Sequence, residues 1–280
     1  MKNVTLNNGV EMPILGLGVY QIPDFEECKK TVLDAIETGY RSIDTASAYH
    51  NEEAVGEAIK ESGVDRKELF ITTKLWISDI GYEKTKKAFE LSLQKLQLDY
   101  LDLYLIHQPF GDVHGSWRAM EEFYKQGKVR AIGLSNFHAD RVMDIIVNNE
   151  VAPAINQIET HPFHQRFEDE EFLKENGVQL ESWASFAEGK NDLFTNETLS
   201  TIGKKYNKSV AQVVLRWLIQ RDVVVIPKSV RKERMIENID VFDFELSSKD
   251  MTDIQAFDKK ESLFINHRDP EKIKWLSTLV

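Results

Sequence analysis

Four residues of the chain carry side chains that together could deliver a proton to a carbonyl oxygen. Asp44, Lys74 and His107 each lie at the end of a short apolar run, and Tyr49 comes five residues after Asp44. A free tyrosine hydroxyl has a pKa of about 10, so it is a poor acid near neutrality. An ammonium beside it lowers that pKa, and a carboxylate holds the ammonium in place. This set predicts a tyrosine that gives its proton to a developing alkoxide.

His107 would orient the substrate carbonyl by hydrogen bonding. The four residues contain neither a nucleophile nor a set of metal ligands, so they suit the addition of hydride to a carbonyl, and a cofactor must supply that hydride. Each residue alone also has an ordinary interpretation: Asp44 as a turn cap, Lys74 as a side chain reaching solvent, His107 as a buried histidine. Several such residues on one face favour function, because burying each of them costs desolvation.

A second polar cluster lies where the last apolar run meets a predicted helix: Lys228, Ser229, Arg231, Lys232 and Arg234. Helix starts favour acidic residues, so four cations there work against the helix dipole. A bound phosphate would relieve that conflict. The other interpretation is a solvated helix start whose charge is balanced by nearby acids (Glu233, Glu237 and Asp240), and the charge pattern alone does not decide between the two.

The elements that must position these residues follow from hydrophobic periodicity. Eight apolar runs alternate with helical patterns, at 14–17, 41–44, 69–75, 101–106, 129–134, 153–157, 178–183 and 223–227. Nearly continuous hydrophobic runs are typical of parallel strands that are covered on both faces. Asp24 and Ser209 each precede a capping-box partner by three residues, and Asn51 is predicted to cap another helix. Asn8–Gly9 between apolar pairs predicts a hairpin.

The pattern predicts an α/β fold: one (β/α)₈ barrel domain over residues 1–280, with the hairpin plugging the bottom. An open doubly wound sheet is the alternative, but the Gly16–Gly18 segment lacks the third glycine of its fingerprint and does not open into a helix. In a barrel, functional residues lie at the carboxyl ends of the strands. The polar or aromatic residues expected there are Asp44, Lys74, His107, Ser135, Asn136, Gln157, Trp183, Lys228 and Ser229.

Composition excludes several classes of protein. The 280 residues include 35 Lys plus Arg and 46 Asp plus Glu, for a net charge of −11. Such an acidic chain is not expected to bind nucleic acid through a basic face. A single cysteine, Cys28, excludes an internal disulfide framework and a Cys-rich zinc site. With no apolar run of about 18 residues and no apolar signal core, we expect a soluble cytoplasmic protein without a membrane partner.

Three ordered segments carry a family resemblance. They are Arg41–Gly56, with Asp44 and Tyr49; Met120–Phe137, with Gly133-Leu-Ser-Asn-Phe; and Ile226–Asn238, with Pro-Lys-Ser. On these segments the chain resembles the aldo-keto reductase family over essentially its whole length. Its short C-terminal segment, with Trp275, is similar to bacterial branches that include diketogluconate and prostaglandin-type reductases. The resemblance implies a (β/α)₈ fold and NADPH-dependent reduction of small aldehydes or ketones by a monomer.

The resemblance also implies roles by position. Tyr49 would be the general acid, supported by Asp44 and Lys74, with His107 orienting the carbonyl. Residues expected to contact NADPH are Gly18, Val19, Tyr20, Asp44, Ser135, Asn136, Gln157, Trp183, Lys228, Ser229, Val230, Arg234, Glu237 and Asn238, with Lys228, Ser229 and Arg234 on the 2′-phosphate. Residues expected to contact substrate are Tyr20, Tyr49, Trp76, His107 and Gln108.

The chain departs from the family pattern at three places. Trp183 stands where the family often has tyrosine, so an aromatic face is kept and a hydroxyl is lost. Ala184-Ser-Phe186 replaces the usual Ser-Pro-Leu, which changes the loop that clasps the cofactor. Gln108 stands where many relatives carry tryptophan, so one wall of the substrate pocket is more polar.

Three other functions have some support in the sequence. Glu159, His161 and His164 are close in sequence, but there is no HExxH motif and Pro162 disfavours a helical pairing, so no metal is expected. Ser135 lacks the G-x-S-x-G context of a hydrolase nucleophile. A cofactor-binding sensor or accessory subunit on the same fold is the main alternative. The four residues of the proton-transfer set favour turnover over binding alone.

Overall fold

The computed structural model describes residues 2–279. Two strands, β1 (Asn3–Thr5) and β2 (Glu11–Pro13), form an antiparallel hairpin. Eight parallel strands follow: β3 (Leu17–Gly18), β4 (Ser42–Asp44), β5 (Phe70–Leu75), β6 (Leu101–Ile106), β7 (Val129–Ser135), β8 (Ile155–Glu159), β9 (Gln179–Trp183) and β10 (Val224–Val225).

Helices separate the strands and continue beyond the last one. They are α1 (Phe25–Glu37), α2 (Glu52–Glu61), α3 (Tyr82–Leu96), α4 (Val113–Lys125), α5 (Ala139–Asn148), α6 (Phe167–Glu175), α7 (Glu197–Tyr206), α8 (Val210–Gln220), α9 (Lys232–Ile239), α10 (Ser248–Gln255) and α11 (Pro270–Leu276). A 3₁₀ turn at Ser47–Tyr49 carries Tyr49. Within residues 2–279, no helix combines the length and apolar character that crossing a membrane requires.

The parallel sheet closes on itself. Strands β3 to β10 pair in chain order, and Leu15, just before β3, pairs in parallel with Val225 of β10. Two backbone hydrogen bonds join these edges, from Gly16 N to Val225 O at 2.8 Å and from Val225 N to Ile14 O at 2.9 Å. The predicted barrel is therefore confirmed, and the open doubly wound sheet is excluded.

The two glycines near β3 permit close backbone packing. A Cβ on Gly16 would lie 2.8 Å from Ser42 Oγ, and one on Gly18 would lie 2.8 Å from the Ile226 carbonyl oxygen. A Cβ does not approach another heavy atom that closely in folded proteins, so a side chain at either position would push the strands apart. These glycines therefore allow the strands to pack closely where the barrel closes, and they are not part of a dinucleotide fingerprint loop.

The hairpin covers the amino-terminal end of the barrel. Met12 is fully buried, and two asparagines of the turn bond the strand starts. Asn7 Nδ2 donates to the Pro153 carbonyl and Asn8 Nδ2 to the Arg130 carbonyl, both at 2.9 Å. Because the hairpin occupies this end, the opposite rim is the one left for chemistry, as the sequence predicts.

The predicted helix caps are found with one exception. Asp24 accepts a hydrogen bond from Glu27 N but lacks the reciprocal Glu27 side-chain bond of the predicted capping box, whereas Ser209 and Gln212 form a complete one. Asn51 occupies the cap position of α2, but its side chain makes no capping hydrogen bond, so that prediction is wrong.

The Asn51 side chain binds two neighbouring loops instead. Its Oδ1 accepts from Thr45 Oγ1 at 2.7 Å, and its Nδ2 donates to the carbonyls of Val19 and Ile22 at 2.9 and 3.1 Å. Buried carbonyls without a strand partner need a donor, and the buried amide supplies it. Asn51 thereby joins the loops after β3 and β4, which carry Tyr20 and Tyr49.

Candidate active site

Lys74, near the end of β5, is the centre of the rim. Its side chain is fully buried, and its ammonium donates to Asp44 Oδ1 at 2.5 Å, to the Thr45 carbonyl at 2.9 Å and to Tyr49 Oη at 3.3 Å. An ammonium has three N–H groups, so these acceptors use all of them. Because Tyr49 Oη accepts here, its own proton is left free for another acceptor.

Asp44, at the end of β4, is held on both carboxylate oxygens. Oδ1 accepts from Lys74, and Oδ2 accepts from Gln157 Nε2 of β8 at 2.9 Å. Burial lowers the pKa of Lys74, but the Asp44 carboxylate and Tyr49 outweigh burial and raise that pKa above its ordinary value. Lys74 is therefore charged at neutral pH.

The Tyr49 hydroxyl differs from the sequence-based expectation. Burial raises the pKa of Tyr49 to about 12; the Lys74 ammonium opposes this shift and the Asp44 carboxylate adds to it. The expectation of a net lowered pKa is wrong for the protein without cofactor, because spacing along the chain does not reveal desolvation. The hydroxyl is protonated at neutral pH, so the proton is available for donation.

His107 follows β6 and lies beside Tyr49. Its ring is edge-on to the rings of Tyr49 and Trp76, with centroids 5.7 and 5.1 Å away. Burial, together with the charge of Lys74, lowers the pKa of His107 well below its ordinary value. The ring is therefore neutral at physiological pH, and a neutral imidazole has one N–H to donate.

A row of polar side chains continues the rim across β7 to β9. Asn136 has a left-handed backbone with φ 66°, and its Nδ2 donates to the His107 carbonyl at 3.0 Å and to Ser135 Oγ at 3.1 Å. Trp183 Nε1 donates to Asn136 Oδ1 at 2.9 Å. The indole at this departure from the family pattern thus has a polar partner, which fixes the orientation of its ring beside Asn136.

The cationic cluster lies at the start of α9. Of the acids that could balance it, Glu233 lies 3.8 Å from Arg231 within the cluster. The other two are engaged elsewhere: Asp240 pairs with Lys208 at 2.7 Å, and Glu237 accepts from Ser209 Oγ. Lys232 pairs instead with Glu37 of α1 at 2.7 Å. Within residues 2–279, neither Lys228 nor Arg234 has an ion-pair partner. The interpretation of a locally compensated helix start therefore fails for these two residues.

The other expected cofactor residues lie around the same rim. Gly18 and Val19 are buried at the end of β3, Ser229 and Asn238 are buried near α9, and Val230 is 36% exposed beside Ser229. The donors and acceptors needed by a nicotinamide dinucleotide are present: an indole face, an amide and hydroxyl row, and two unpaired cations at a helix start. The residues fit NADPH.

The loop after Trp183 has an irregular backbone. Ala184, Ala187 and Glu188 all have φ between 49° and 51°, a conformation uncommon for residues with a Cβ. Lys190 Nζ donates to the Leu263 carbonyl at 2.7 Å, which ties the loop to the C-terminal segment. The segment 184–186, where the sequence differs from the family pattern, thus lies in an irregular loop that the Lys190 contact ties to the C-terminal segment.

The substrate side of the rim is completed by residues that the sequence analysis missed. Gln108 Oε1 accepts from His267 Nε2 at 3.0 Å, and Trp76 Nε1 donates to the Leu279 carbonyl at 2.9 Å. Tyr20 is 53% exposed at the edge. Because these partners are 159 and 203 positions apart in the chain, no local pattern could have identified His267 or Leu279.

Glu159 and His161 serve the C-terminal segment. Glu159 Oε1 accepts from His161 Nε2 at 3.0 Å and from Leu263 N at 2.8 Å, while Oε2 accepts from Ser262 Oγ at 2.5 Å. His164 lies next to the Arg166 guanidinium, 3.3 Å away. In the part of the chain that the structure describes, no group of three or more His, Cys, Asp or Glu residues could hold a metal ion.

Comparisons with known proteins agree with this fold. A family model described as the aldo/keto reductase family matches residues 14–259. The chain is 53% identical to glyoxal reductase from Bacillus subtilis (strain 168) over 259 residues, covering 92% of this chain and 93% of the relative.

Two solved structures share the fold. MGS-M4, an aldo-keto reductase from a Medee basin deep-sea metagenome library, has a TM-score of 0.92 and 45% identity, covering 96% of this chain and 99% of that one. A Bombyx mori aldo-keto reductase in complex with NADP has a TM-score of 0.89 and 35% identity, covering 98% and 96%.

The His107 ring gives a direct test of the electrostatics. We expect its imidazole NMR signals, assigned by their loss in His107→Gln, to show no titration around the ordinary histidine midpoint of about pH 6.5, because burial favours the neutral form. A titration with a midpoint above about pH 6 would contradict the proposed environment of this ring.

Proposed function

The chain belongs to the aldo/keto reductase family, and on that premise we propose that it reduces small dicarbonyl aldehydes with NADPH, Tyr49 acting as the general acid. The observation that carries the proposal is the contact of the Lys74 ammonium with Tyr49 Oη at the rim. That contact leaves the hydroxyl proton free and places a cation beside the oxygen that must lose it. A purely structural tyrosine would not need a buried cation held there.

The proton transfer follows from these contacts. When bound, NADPH supplies the hydride that reduces the carbonyl carbon. Tyr49 gives its Oη proton to the carbonyl oxygen, so the C=O group becomes an alcohol and the tyrosine a phenolate. Lys74 stabilises that phenolate, and Asp44 keeps the ammonium in position. The neutral His107 donates a hydrogen bond that orients the carbonyl oxygen.

The cofactor would extend along the rim from β9 to α9. Trp183 would stack on the nicotinamide ring, while Ser135, Asn136 and Gln157 bind its carboxamide. Lys228 and Arg234, which are both exposed, would bind the 2′-phosphate by charge-assisted hydrogen bonds. The remaining expected contacts are Gly18, Val19 and Tyr20 along the ring, Ser229 and Val230 beside the phosphate, and Glu237 and Asn238 near the adenine.

The substrate class is inferred from Gln108, in the wall of the substrate pocket. Gln108 uses its carbonyl oxygen to accept from His267, while its amide nitrogen makes no hydrogen bond to any residue from 2 to 279. We propose that this amide donates to the second oxygen of a small dicarbonyl such as glyoxal. The relative from Bacillus subtilis is named for that substrate.

We also propose that one chain suffices for the reaction, as a single-domain monomer that needs no nucleic acid. Every proposed site residue comes from the same chain, and the family match spans residues 14–259. The hairpin and the C-terminal segment both pack on the one barrel.

The role of Tyr49 is tested by Tyr49→Phe. We expect NADPH oxidation with glyoxal to fall by at least about a hundredfold, because general acid catalysis contributes that much. NADPH binding, followed by tryptophan fluorescence, should be largely kept. Tyr124→Phe on α4 is the matched control. Normal turnover in Tyr49→Phe would refute the assignment, and wild-type binding without turnover would favour the sensor alternative.

The phosphate contact is tested by Arg234→Ala. We expect the Kd for NADPH to rise about tenfold to a hundredfold and the Kd for NADH to change little, because only NADPH has the 2′-phosphate. Lys232→Ala, which removes a cation paired with Glu37, is the control. Equal losses for both cofactors would disprove this contact.

The pocket wall is tested by Gln108→Leu. Losing one neutral hydrogen bond costs about 1 kcal/mol, so kcat/KM for glyoxal should fall about fivefold relative to kcat/KM for benzaldehyde. If both aldehydes were affected equally, Gln108 would have no part in selecting the substrate.

A further inference from the structure

Glu181 is a buried carboxyl group that the proposed reaction does not use. It lies in β9, in register with Gln157 of β8 and Val224 of β10, and its side chain is fully buried. Register partners in a sheet point to the same face. Because Gln157 reaches Asp44 inside the barrel, Glu181 also faces the barrel interior, behind the Asp44–Lys74 pair.

Neither carboxyl oxygen of Glu181 has a hydrogen-bond partner within 3.5 Å among residues 2–279, although the Gln157 amide is near enough to lower the pKa of Glu181 in part. That amide, on the register partner of Glu181, donates to Asp44 Oδ2 at 2.9 Å. An ionised carboxylate in this place would be a buried charge without a cation of its own, which is strongly unfavourable.

The charges around Glu181 also favour its protonated, neutral form. The groups that face Glu181 are Asp44 from β4, Lys74 from β5 and the Gln157 amide from β8. Lys74 is the one cation among them, and its three protons bond Asp44, Thr45 and Tyr49. A second carboxylate beside Asp44 would have no cation of its own, and two carboxylates sharing one site favour protonation of one.

We propose that Glu181 is a positioning residue: it is a neutral carboxylic acid in the active enzyme, and its proton keeps the Asp44–Lys74 pair balanced so that Tyr49 can release a proton. This inference rests on the proposed role of Tyr49. Burial, followed by the Asp44 carboxylate, raises the pKa of Glu181 to about 8, which agrees with the charge count.

The consequence is a loss of reduction at alkaline pH. When Glu181 ionises, a second negative charge faces Lys74 and partly offsets the stabilising effect of the ammonium on the Tyr49 phenolate. A nearby negative charge raises the pKa of Tyr49, so formation of the phenolate becomes less favourable. Above about pH 8, kcat/KM for reduction should therefore decrease, by up to about tenfold per pH unit.

The pH profile of kcat/KM for glyoxal tests the inference. Wild type should lose activity above about pH 8, and Glu181→Gln, which cannot ionise, should move that limb upward by at least about one pH unit. Glu52→Gln is the matched control: Glu52 is also buried, but it accepts from Thr73 Oγ1 at 2.7 Å and lies at the start of α2, so the limb should stay in place. An unmoved limb in Glu181→Gln overturns the inference.

Infrared spectroscopy of the cofactor-free protein gives a second readout. Raising the pH from about 7 to about 10 should remove the carbonyl-stretch band of a protonated carboxyl group in wild type, and that change should be absent in Glu181→Gln. If Glu181→Gln does not fold, the wild-type spectrum alone decides. A wild-type band that persists up to about pH 10 would overturn the inference. Failure of the proposed function is distinguishable: wild type would then not oxidise NADPH with glyoxal, whatever its infrared spectrum.

Discussion

The ammonium of Lys74 is the group on which the site depends. A fully buried cation loses several kcal/mol of hydration, so it must be compensated where it lies. Asp44 compensates its charge at 2.5 Å, and the Thr45 carbonyl takes a second proton at 2.9 Å. Because two of the three N–H groups of the ammonium are fixed in this way, the direction of the third is also fixed, and Tyr49 Oη is its acceptor. The position of the tyrosine is thus set by the requirement to satisfy a buried charge.

The barrel provides this arrangement because parallel strands all end at the same rim. Asp44, Lys74, Gln157 and Glu181 lie on four different strands, yet the closed sheet places them around one interior. The elements that hold the rim are outside the sheet. Asn51 fixes the loops after β3 and β4, while the C-terminal segment is bonded through Glu159 and Trp76. The rigid strands therefore set the reacting groups, and the loops shape the space in front of them.

The sequence predicted the barrel and the meeting of Asp44, Tyr49 and Lys74, because apolar runs mark strands and strand ends share a rim. It did not predict the raised pKa of Tyr49, since desolvation depends on what packs around the hydroxyl. The type and position of Asn51 favour a helix cap, whereas in the structure its amide binds the buried carbonyls of two neighbouring loops. Glu181 was missed because a strand covered on both faces gives no sign of which residues point inside.

A crystal structure of the chain with NADP+ tests the central claim most directly. We expect the nicotinamide ring on Trp183, facing Tyr49 and His107, with Lys74 still bonded to both Asp44 and Tyr49. The 2′-phosphate should lie between Lys228 and Arg234. A nicotinamide bound away from Tyr49, or a Lys74 ammonium that has left Tyr49 for another partner, would contradict it.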